Sequence, residues 1–205
     1  EHAQLAVDAL LIASGRQPAT ASLHPENAGI AVNERGAIVV DKRLHTTADN
    51  IWAMGDVTGG LQFTYISLDD YRIVRDELLG EGKRSTDDRK NVPYSVFMTP
   101  PLSRVGMTEE QARESGADIQ VVTLPVAAIP RARVMNDTRG VLKAIVDNKT
   151  QRMLGASLLC VDSHEMINIV KMVMDAGLPY SILRDQIFTH PSMSESLNDL
   201  FSLVK

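Results

Sequence analysis

Apolar runs separated by glycine and proline mark the elements of the first third of the chain. Three of these runs are typical of short buried strands, residues 5–13, 36–40 and 50–54. The third leads directly into Gly55 and Asp56, and a segment of helical length follows over residues 61–79. A strand, a glycine turn and a helix in this order predict part of a doubly wound α/β domain.

The pattern changes after a polar, glycine-bearing tract over residues 80–91, which predicts a first domain of residues 1–90 and a second of residues 91–205. Five short strands are predicted in the second, over residues 94–98, 104–107, 119–126, 141–146 and 153–161. Two helices are predicted over residues 108–115 and 163–176. Thr108 and Gln111 have capping-box spacing at the start of the first helix. Strands and helices do not alternate strictly, so an α+β fold is predicted.

Composition narrows the function classes. The formal net charge is -5, and the chain has no basic stripe of the kind that binds nucleic acid, so a nucleic-acid partner is not expected. No window approaches the roughly 20 apolar residues of a membrane span, so no membrane partner is expected either. The single cysteine, Cys160, rules out an internal disulfide framework and favours a reducing compartment, the cytoplasm.

Gly55 and Asp56 are the first candidate site. A carboxylate directly after a buried strand lies at the carboxyl edge of the sheet, where α/β folds bind ligands. Gly55 would let the backbone approach a ligand closely, and Asp56 can accept a hydrogen bond from a hydroxyl group. On these residues alone an ordinary turn with an Asx-type cap remains the alternative.

His190 and Glu195 are the second candidate site. Pro191 suits the first position of a helix, which would place His190 just before the helix and Glu195 within its first turns. Glu195 would be stabilised there by the helix dipole and could reach back toward the imidazole. The alternative is a capping box formed by Ser192 and Glu195, with His190 incidental.

Four segments, in order along the chain, resemble the pyridine nucleotide-disulfide oxidoreductases, the family of glutathione reductase and mercuric reductase. They are Ala-Ser-Gly-Arg-Gln-Pro at residues 13–18, Thr-Ala-Asp-Asn-Ile-Trp-Ala-Met-Gly-Asp at 47–56, Val-Phe-Met-Thr-Pro-Pro-Leu-Ser-Arg-Val-Gly-Met-Thr-Glu-Glu at 96–110, and His-Pro-Ser-Met-Ser-Glu at 190–195. The resemblance implies an α+β dimerisation domain with a mixed or antiparallel sheet and helices, preceded by part of an α/β FAD-binding domain.

The same resemblance implies a flavin site. Asp56 would hold the ribitol of FAD beside Gly55, and the backbone of Phe63 and Thr64, at the start of the helix, would face the pyrimidine edge of the flavin. A helix N-terminus suits that place because its free N–H groups favour electron density on the flavin. One departure stands out, since the family continues with proline and an alanine-rich helix, whereas residues 65–71 here read Tyr-Ile-Ser-Leu-Asp-Asp-Tyr.

The resemblance also implies catalysis. His190 would be the acid–base residue and Glu195 its orienting partner, and the pair would act on the flavin of the second chain of a homodimer. Electrons would pass from NAD(P)H through FAD and a pair of cysteines upstream to a disulfide or a similar acceptor. A metal-ion reductase of the mercuric or cupric type is the alternative within the family. A non-catalytic homodimerisation module is the alternative from another class, and this chain by itself is expected to bind no cofactor.

Cys160 lies in an apolar run and is predicted to be a buried structural cysteine. It is not a substitute for the family's redox pair. A soft-metal site for Cu(I), formed by Cys160, His164 and nearby methionines, is the weaker alternative because methionines at helical spacing usually fill a core. No metal site is therefore predicted.

Overall fold

The computed structural model describes residues 4–205, and the chain divides into two compact units, Glu1–Arg89 and Lys90–Lys205. Its helices and strands are labelled here in chain order. None of the helices in the described part is both long and apolar enough to cross a membrane.

The first unit is built around one helix, α1 (Thr64–Leu79), and four short 3-10 turns, Ala21–Leu23, Pro25–Ala28, Gly55–Thr58 and Thr86–Asp88. Ile66 and Ile73 of α1 are buried, as are a few apolar side chains from the preceding loops, Ala37, Ile38, Leu44 and Ala53. The predicted helix is therefore present, although it begins at Thr64 rather than near residue 61.

The three strands predicted in the first unit are not formed. Residues 5–13 have no strand partner within the described chain and are exposed, with Leu11 88% exposed. The other two runs each make a single isolated bridge, Val32 with Ile38 and His45 with Trp52. A strand is stabilised by a ladder of hydrogen bonds to its neighbours, and the described residues do not supply that ladder here.

The second unit contains a five-stranded antiparallel sheet in the order β1-β2-β5-β4-β3. Its strands are β1 (Tyr94–Val96), β2 (Leu102–Gly106), β3 (Ile119–Pro125), β4 (Val141–Asp147) and β5 (Met153–Leu159). In the centre of the sheet Val105 pairs with Ala156, which in turn pairs with Ala144. All five predicted strands are thus present, with ends that differ by a few residues.

Five α-helices and a 3-10 turn, Val126–Ala128, complete the second unit; the helices are α2 (Glu109–Glu114), α3 (Pro130–Val134), α4 (Ser163–Asp175), α5 (Ser181–Asp185) and α6 (Ser196–Ser202). The capping box predicted at α2 is formed in full between Thr108 and Gln111. Apolar side chains of α4 and α6, such as Met166, Val170 and Phe201, join those of the sheet in one core. This core carries the turn that holds His190 and Glu195.

Candidate functional site

The segment 190–195 forms a turn that precedes α6. The sequence interpretation placed Pro191 at the first position of a helix, and this is wrong, because α6 begins at Ser196 with Glu195 as its N-cap residue. The reason is a competing set of local hydrogen bonds. The Ser192 N–H donates to Oε1 of Glu195 over 3.1 Å, and the Glu195 N–H donates to Oγ of Ser192 over 3.2 Å, which closes a separate turn.

Glu195 serves both arrangements that the sequence left open. Its Oε1 atom completes the reciprocal bonds with Ser192, while its Oε2 atom lies 2.8 Å from Nδ1 of His190. The Glu195 side chain is 18% exposed and the His190 side chain 69% exposed. The reciprocal Ser192–Glu195 bonds and the imidazole–carboxylate pair are therefore present together, although these bonds close a turn ahead of α6 and do not cap the helix.

Contacts with the core of the second unit hold this turn in place. Met193 is buried at its centre, and Oγ of Ser196 donates to the Met193 carbonyl over 2.6 Å. Nδ2 of Asn198 lies 2.8 Å from the Leu183 carbonyl oxygen and 2.9 Å from that of Gln186, at the end of α5. Asn198 thus holds the segment that leads to His190. Sequence reasoning missed this role, because a lone asparagine inside a helix gives no signal of it.

The pair can handle one proton at a defined atom. When Nδ1 of His190 carries a proton, Glu195 accepts that hydrogen bond and fixes the ring orientation. Nε2 is then the nitrogen left to accept or donate a proton, on a ring that is mostly exposed. This is the arrangement of a general acid–base group held by a carboxylate.

Gly55 and Asp56 lie in the 3-10 turn Gly55–Thr58, just ahead of α1. Gly55 has a φ of +77°, a conformation that favours glycine, and its N–H donates to Oδ2 of Asp70 over 2.7 Å. The Asp56 side chain is 51% exposed, and its nearest charged partner, Arg16, is 3.8 Å away between Nη1 and Oδ2. The Asp56 carboxylate is therefore accessible to a ligand hydroxyl.

Phe63 and Thr64 mark the start of α1, the position that the family resemblance implied for them. Phe63 is the N-cap residue and Thr64 the first residue of the helix, and the Phe63 ring stacks on Tyr65 with 5.1 Å between ring centroids. The first turn of an α-helix has backbone N–H groups without intrahelical partners and a partial positive charge. Asp56 thus offers an exposed acceptor, and the start of α1 offers backbone donors. The Phe63 N–H is not among these donors, because it donates to the Leu61 carbonyl over 3.1 Å.

Cys160 is fully buried, and its Sγ lies 3.9 Å from Sδ of Met166. Burial raises the pKa of the thiol to about 12, and the nearby carboxylates of Asp162 and Asp137 act in the same direction. A protonated, enclosed thiol does not act as a nucleophile. Within residues 4–205 there is no group of three or more His, Cys, Asp or Glu side chains that could hold a metal ion.

Two family models match the chain. The model described as "Pyridine nucleotide-disulphide oxidoreductase, dimerisation domain" matches residues 92–201, and the one described as "Pyridine nucleotide-disulphide oxidoreductase" matches residues 1–70. The chain belongs to the pyridine nucleotide-disulphide oxidoreductase family. The second unit is the α+β dimerisation domain of that family, and the first unit is part of its α/β flavin domain. This confirms the predicted fold class.

Relatives within the family include mercuric reductases. The chain is 36% identical to that of Staphylococcus aureus over 190 residues, which is 93% of this chain and 35% of the relative. It is also 36% identical to that of Streptomyces lividans over 194 residues, covering 95% of this chain and 41% of the relative. The chain therefore spans between 35% and 41% of the length of these two relatives.

A solved structure supports the fold. LpdA from Mycobacterium tuberculosis superposes with a TM-score of 0.83 at 24% identity, covering 92% of this chain and 41% of that one. Gly55, Asp56, Phe63 and Thr64 fall within the match over residues 1–70, and the turn 190–195 falls within the dimerisation-domain match over residues 92–201.

Proposed function

We propose that this chain belongs to an FAD-dependent NAD(P)H oxidoreductase, in which His190 is the acid–base residue and Glu195 orients it. The observation that carries the proposal is the 2.8 Å contact between His190 Nδ1 and Glu195 Oε2 on a mostly exposed imidazole. The same turn lies in the dimerisation domain of a redox family.

Gly55, Asp56, Phe63 and Thr64 are the residues that would hold FAD. Asp56 would accept hydrogen bonds from the ribityl hydroxyls, and the start of α1 would present N–H groups to the flavin ring. When bound, FAD supplies the hydride and electron chemistry that amino-acid side chains lack. The remainder of a flavin and nicotinamide site would come from sequence that the longer relatives carry beyond this match.

His190 would exchange the proton that accompanies electron transfer. With Nδ1 held by Glu195, Nε2 would protonate a thiolate leaving group or stabilise a thiolate of a redox-active cysteine pair. We further propose that two copies of the chain form a homodimer, in which each protomer presents His190 to the flavin of its partner. The match to a dimerisation domain supports this arrangement.

Two acceptors fit the proposal. The mercuric reductase relatives support a metal ion as the electron acceptor, and a disulfide is the alternative within the family. The motifs also resemble the bacterial reactive chlorine resistance oxidoreductases, a finer placement that the named relatives do not share. A location in the cytoplasm is part of the proposal, supported by the single buried thiol.

A non-catalytic homodimerisation module is the candidate from another class, favoured by the exposure of residues 5–13 in the flavin-domain unit. An absorbance spectrum of this purified chain tests it directly. We expect no flavin bands from the chain on its own. Flavin bands that persist after gel filtration would contradict that expectation and show that this chain holds the cofactor unaided.

The decisive experiment for the enzyme is His190→Ala in the complete polypeptide. We expect turnover to fall by roughly 10²- to 10⁴-fold, because the acid–base group is lost, while the flavin content stays the same. Steady-state kinetics with NAD(P)H and either mercuric ion or a disulfide measures this. His24→Asn is the matched control, an exposed histidine in left-handed backbone that asparagine tolerates, and it should leave turnover unchanged. Full turnover in His190→Ala would refute the assignment.

A further inference from the structure

The turn at Gly55 is tied to α1 by a buried carboxylate. The Asp70 side chain is only 2% exposed, and its Oδ2 atom accepts the Gly55 N–H over 2.7 Å. A side chain at residue 55 would also come 3.0 Å from Oγ of Ser67. The turn therefore packs directly against α1. Among the described contacts of Gly55, the hydrogen bond to Asp70 is the one that joins it to the helix.

The second oxygen of Asp70 is paired with Arg89. The guanidinium of Arg89 contacts Oδ1 of Asp70 and also donates from Nε to Oδ2 of Asp69 over 2.8 Å. Arg84 donates from Nη2 to the other oxygen of Asp69 over 2.8 Å. Two adjacent carboxylates on α1 are thus clamped by two arginines from the segment that follows the helix.

Asp69 and Asp70 both favour the charged form of Arg89. Burial by itself lowers the pKa of the Arg89 guanidinium, but the hydrogen bonds and charges of Asp69 and Asp70 outweigh it, so the pKa is raised. A buried carboxylate is costly unless both oxygens are paired. Asp70 meets that condition with one backbone amide and one guanidinium.

Asp56 and Asp70 therefore differ in burial and in their bonding partners. Both oxygens of the buried Asp70 are bonded within the protein. Asp56, one residue after Gly55, is half exposed, and its charged neighbour Arg16, 3.8 Å away, is exposed as well. The orientation of the Asp56 carboxylate depends on the Gly55 peptide, and that peptide is held by Asp70. A charge-assisted hydrogen bond of this kind is about twice as strong as a neutral one.

We propose that the carboxylate of Asp70, held by Arg89, is a positioning residue that sets the flavin-binding turn at Gly55 and Asp56. The proposal rests on the function proposed above. It gives a role to Asp70, which lies in the segment where the family pattern has an alanine-rich helix. Asp70 then serves the site through the Gly55 backbone, without touching the cofactor.

Three variants of the complete polypeptide test this. Asp70→Ala removes both the acceptor for Gly55 and the partner of Arg89, and we expect FAD to bind roughly 10- to 100-fold more weakly. Asp70→Asn keeps a neutral acceptor, so we expect a loss of about 5-fold. Asp69→Asn is the matched control, because it weakens the same arginine network but leaves the Gly55 bond in place, and we expect FAD affinity within about twofold of the wild type.

Two readouts separate positioning from a general loss of stability. The dissociation constant of FAD is measured by fluorescence titration of the apoprotein, and the visible circular dichroism of bound flavin reports how the ring is held. Thermal melting of all three apoproteins is recorded beside them. We expect the FAD affinity and the dichroism to change in the two Asp70 variants and to stay close to wild type in Asp69→Asn. Any loss of melting temperature should be similar in Asp69→Asn and Asp70→Asn.

The outcomes distinguish the two proposals. If the wild type binds FAD and Asp56→Ala loses it, but Asp70→Ala binds FAD with wild-type affinity and dichroism, the positioning role alone is overturned. If Asp70→Ala does not fold, Asp70→Asn decides, and an affinity equal to that of Asp69→Asn overturns the role. A complete wild-type polypeptide that binds no FAD overturns the proposed function and this role with it.

Discussion

The two units of this chain obtain their order from different sources. The second unit is built on a five-stranded sheet whose hydrogen-bond ladders and apolar core all come from residues 94–204. The first unit has one long helix, short turns, two isolated bridges and a cluster of ion pairs around Asp69 and Asp70. Apolar runs of similar strength occur in both, so the presence of pairing partners, rather than hydrophobicity, decides which runs become strands.

Truncation of one leucine in each unit tests this difference most strongly. Leu158 of β5 is fully buried in the core, so Leu158→Ala should lower the free energy of unfolding by about 2–5 kcal/mol through lost burial and a cavity. Leu11→Ala is the matched change in an exposed run and should cost less than about 0.5 kcal/mol. Urea unfolding followed by far-UV circular dichroism measures both. Equal losses would show that residues 5–13 are packed in solution, which would contradict the difference between the two units.

Two glycines with the same backbone conformation, one in each unit, test the same difference between the units. Gly106 and Gly29 have φ values of +71° and +72°, so alanine strains both backbones by the same roughly 1–2 kcal/mol. At Gly106 the new Cβ would also lie 2.3 Å from the Leu154 carbonyl oxygen, whereas at Gly29 nothing lies within 4 Å.

We therefore expect Gly106→Ala to cost about 2–4 kcal/mol and Gly29→Ala about 1 kcal/mol. Thermal unfolding of the two variants beside the wild type gives the values. A smaller cost at Gly106 than at Gly29 would contradict the close packing of β2 against β5.

The pH dependence of stability gives the smallest expected effect. The pKa of Cys160 is raised to about 12 in the folded chain from an ordinary value of 9.0, so between these values the folded state keeps a proton that the unfolded state releases. Stability should then fall as the pH rises through this window, by roughly 1 kcal/mol at about pH 10. The measurement is the difference in unfolding free energy between the wild type and Cys160→Ala at neutral and alkaline pH. A difference that does not change with pH would show that the thiol is accessible to water.

Local signals predicted the second unit well. The cap of α2 was correct because Thr108 and Gln111 are three residues apart and need nothing else, and the five strands were correct because the partners of each lie within the same chain segment. The same reasoning failed for residues 5–13, where the apolar pattern was read as a strand without a known partner. A strand is a property of two segments, and a run by itself specifies only half of it.

The candidate sites show the same limit. The contact of His190 with Glu195 spans five residues and could be proposed from the motif, but the start of α6 could not, because Pro191 and the Ser192–Glu195 box predict different first residues for the helix. The bond of Asp70 to Gly55 spans 15 residues and that of Asp70 to Arg89 spans 19. Spacing within a helix does not reveal either partner, so only the folded chain shows them.

The shared use of Glu195 has a consequence for how this motif can change over generations. Because one carboxylate closes the backbone turn and also steadies the ring, a lineage that no longer needed the imidazole would still be penalised for losing the glutamate. Residue 190 could drift while residue 195 stayed. A homologous protein with glutamate but no histidine at these places would therefore mark a branch that has kept the shape of the site and given up its proton chemistry.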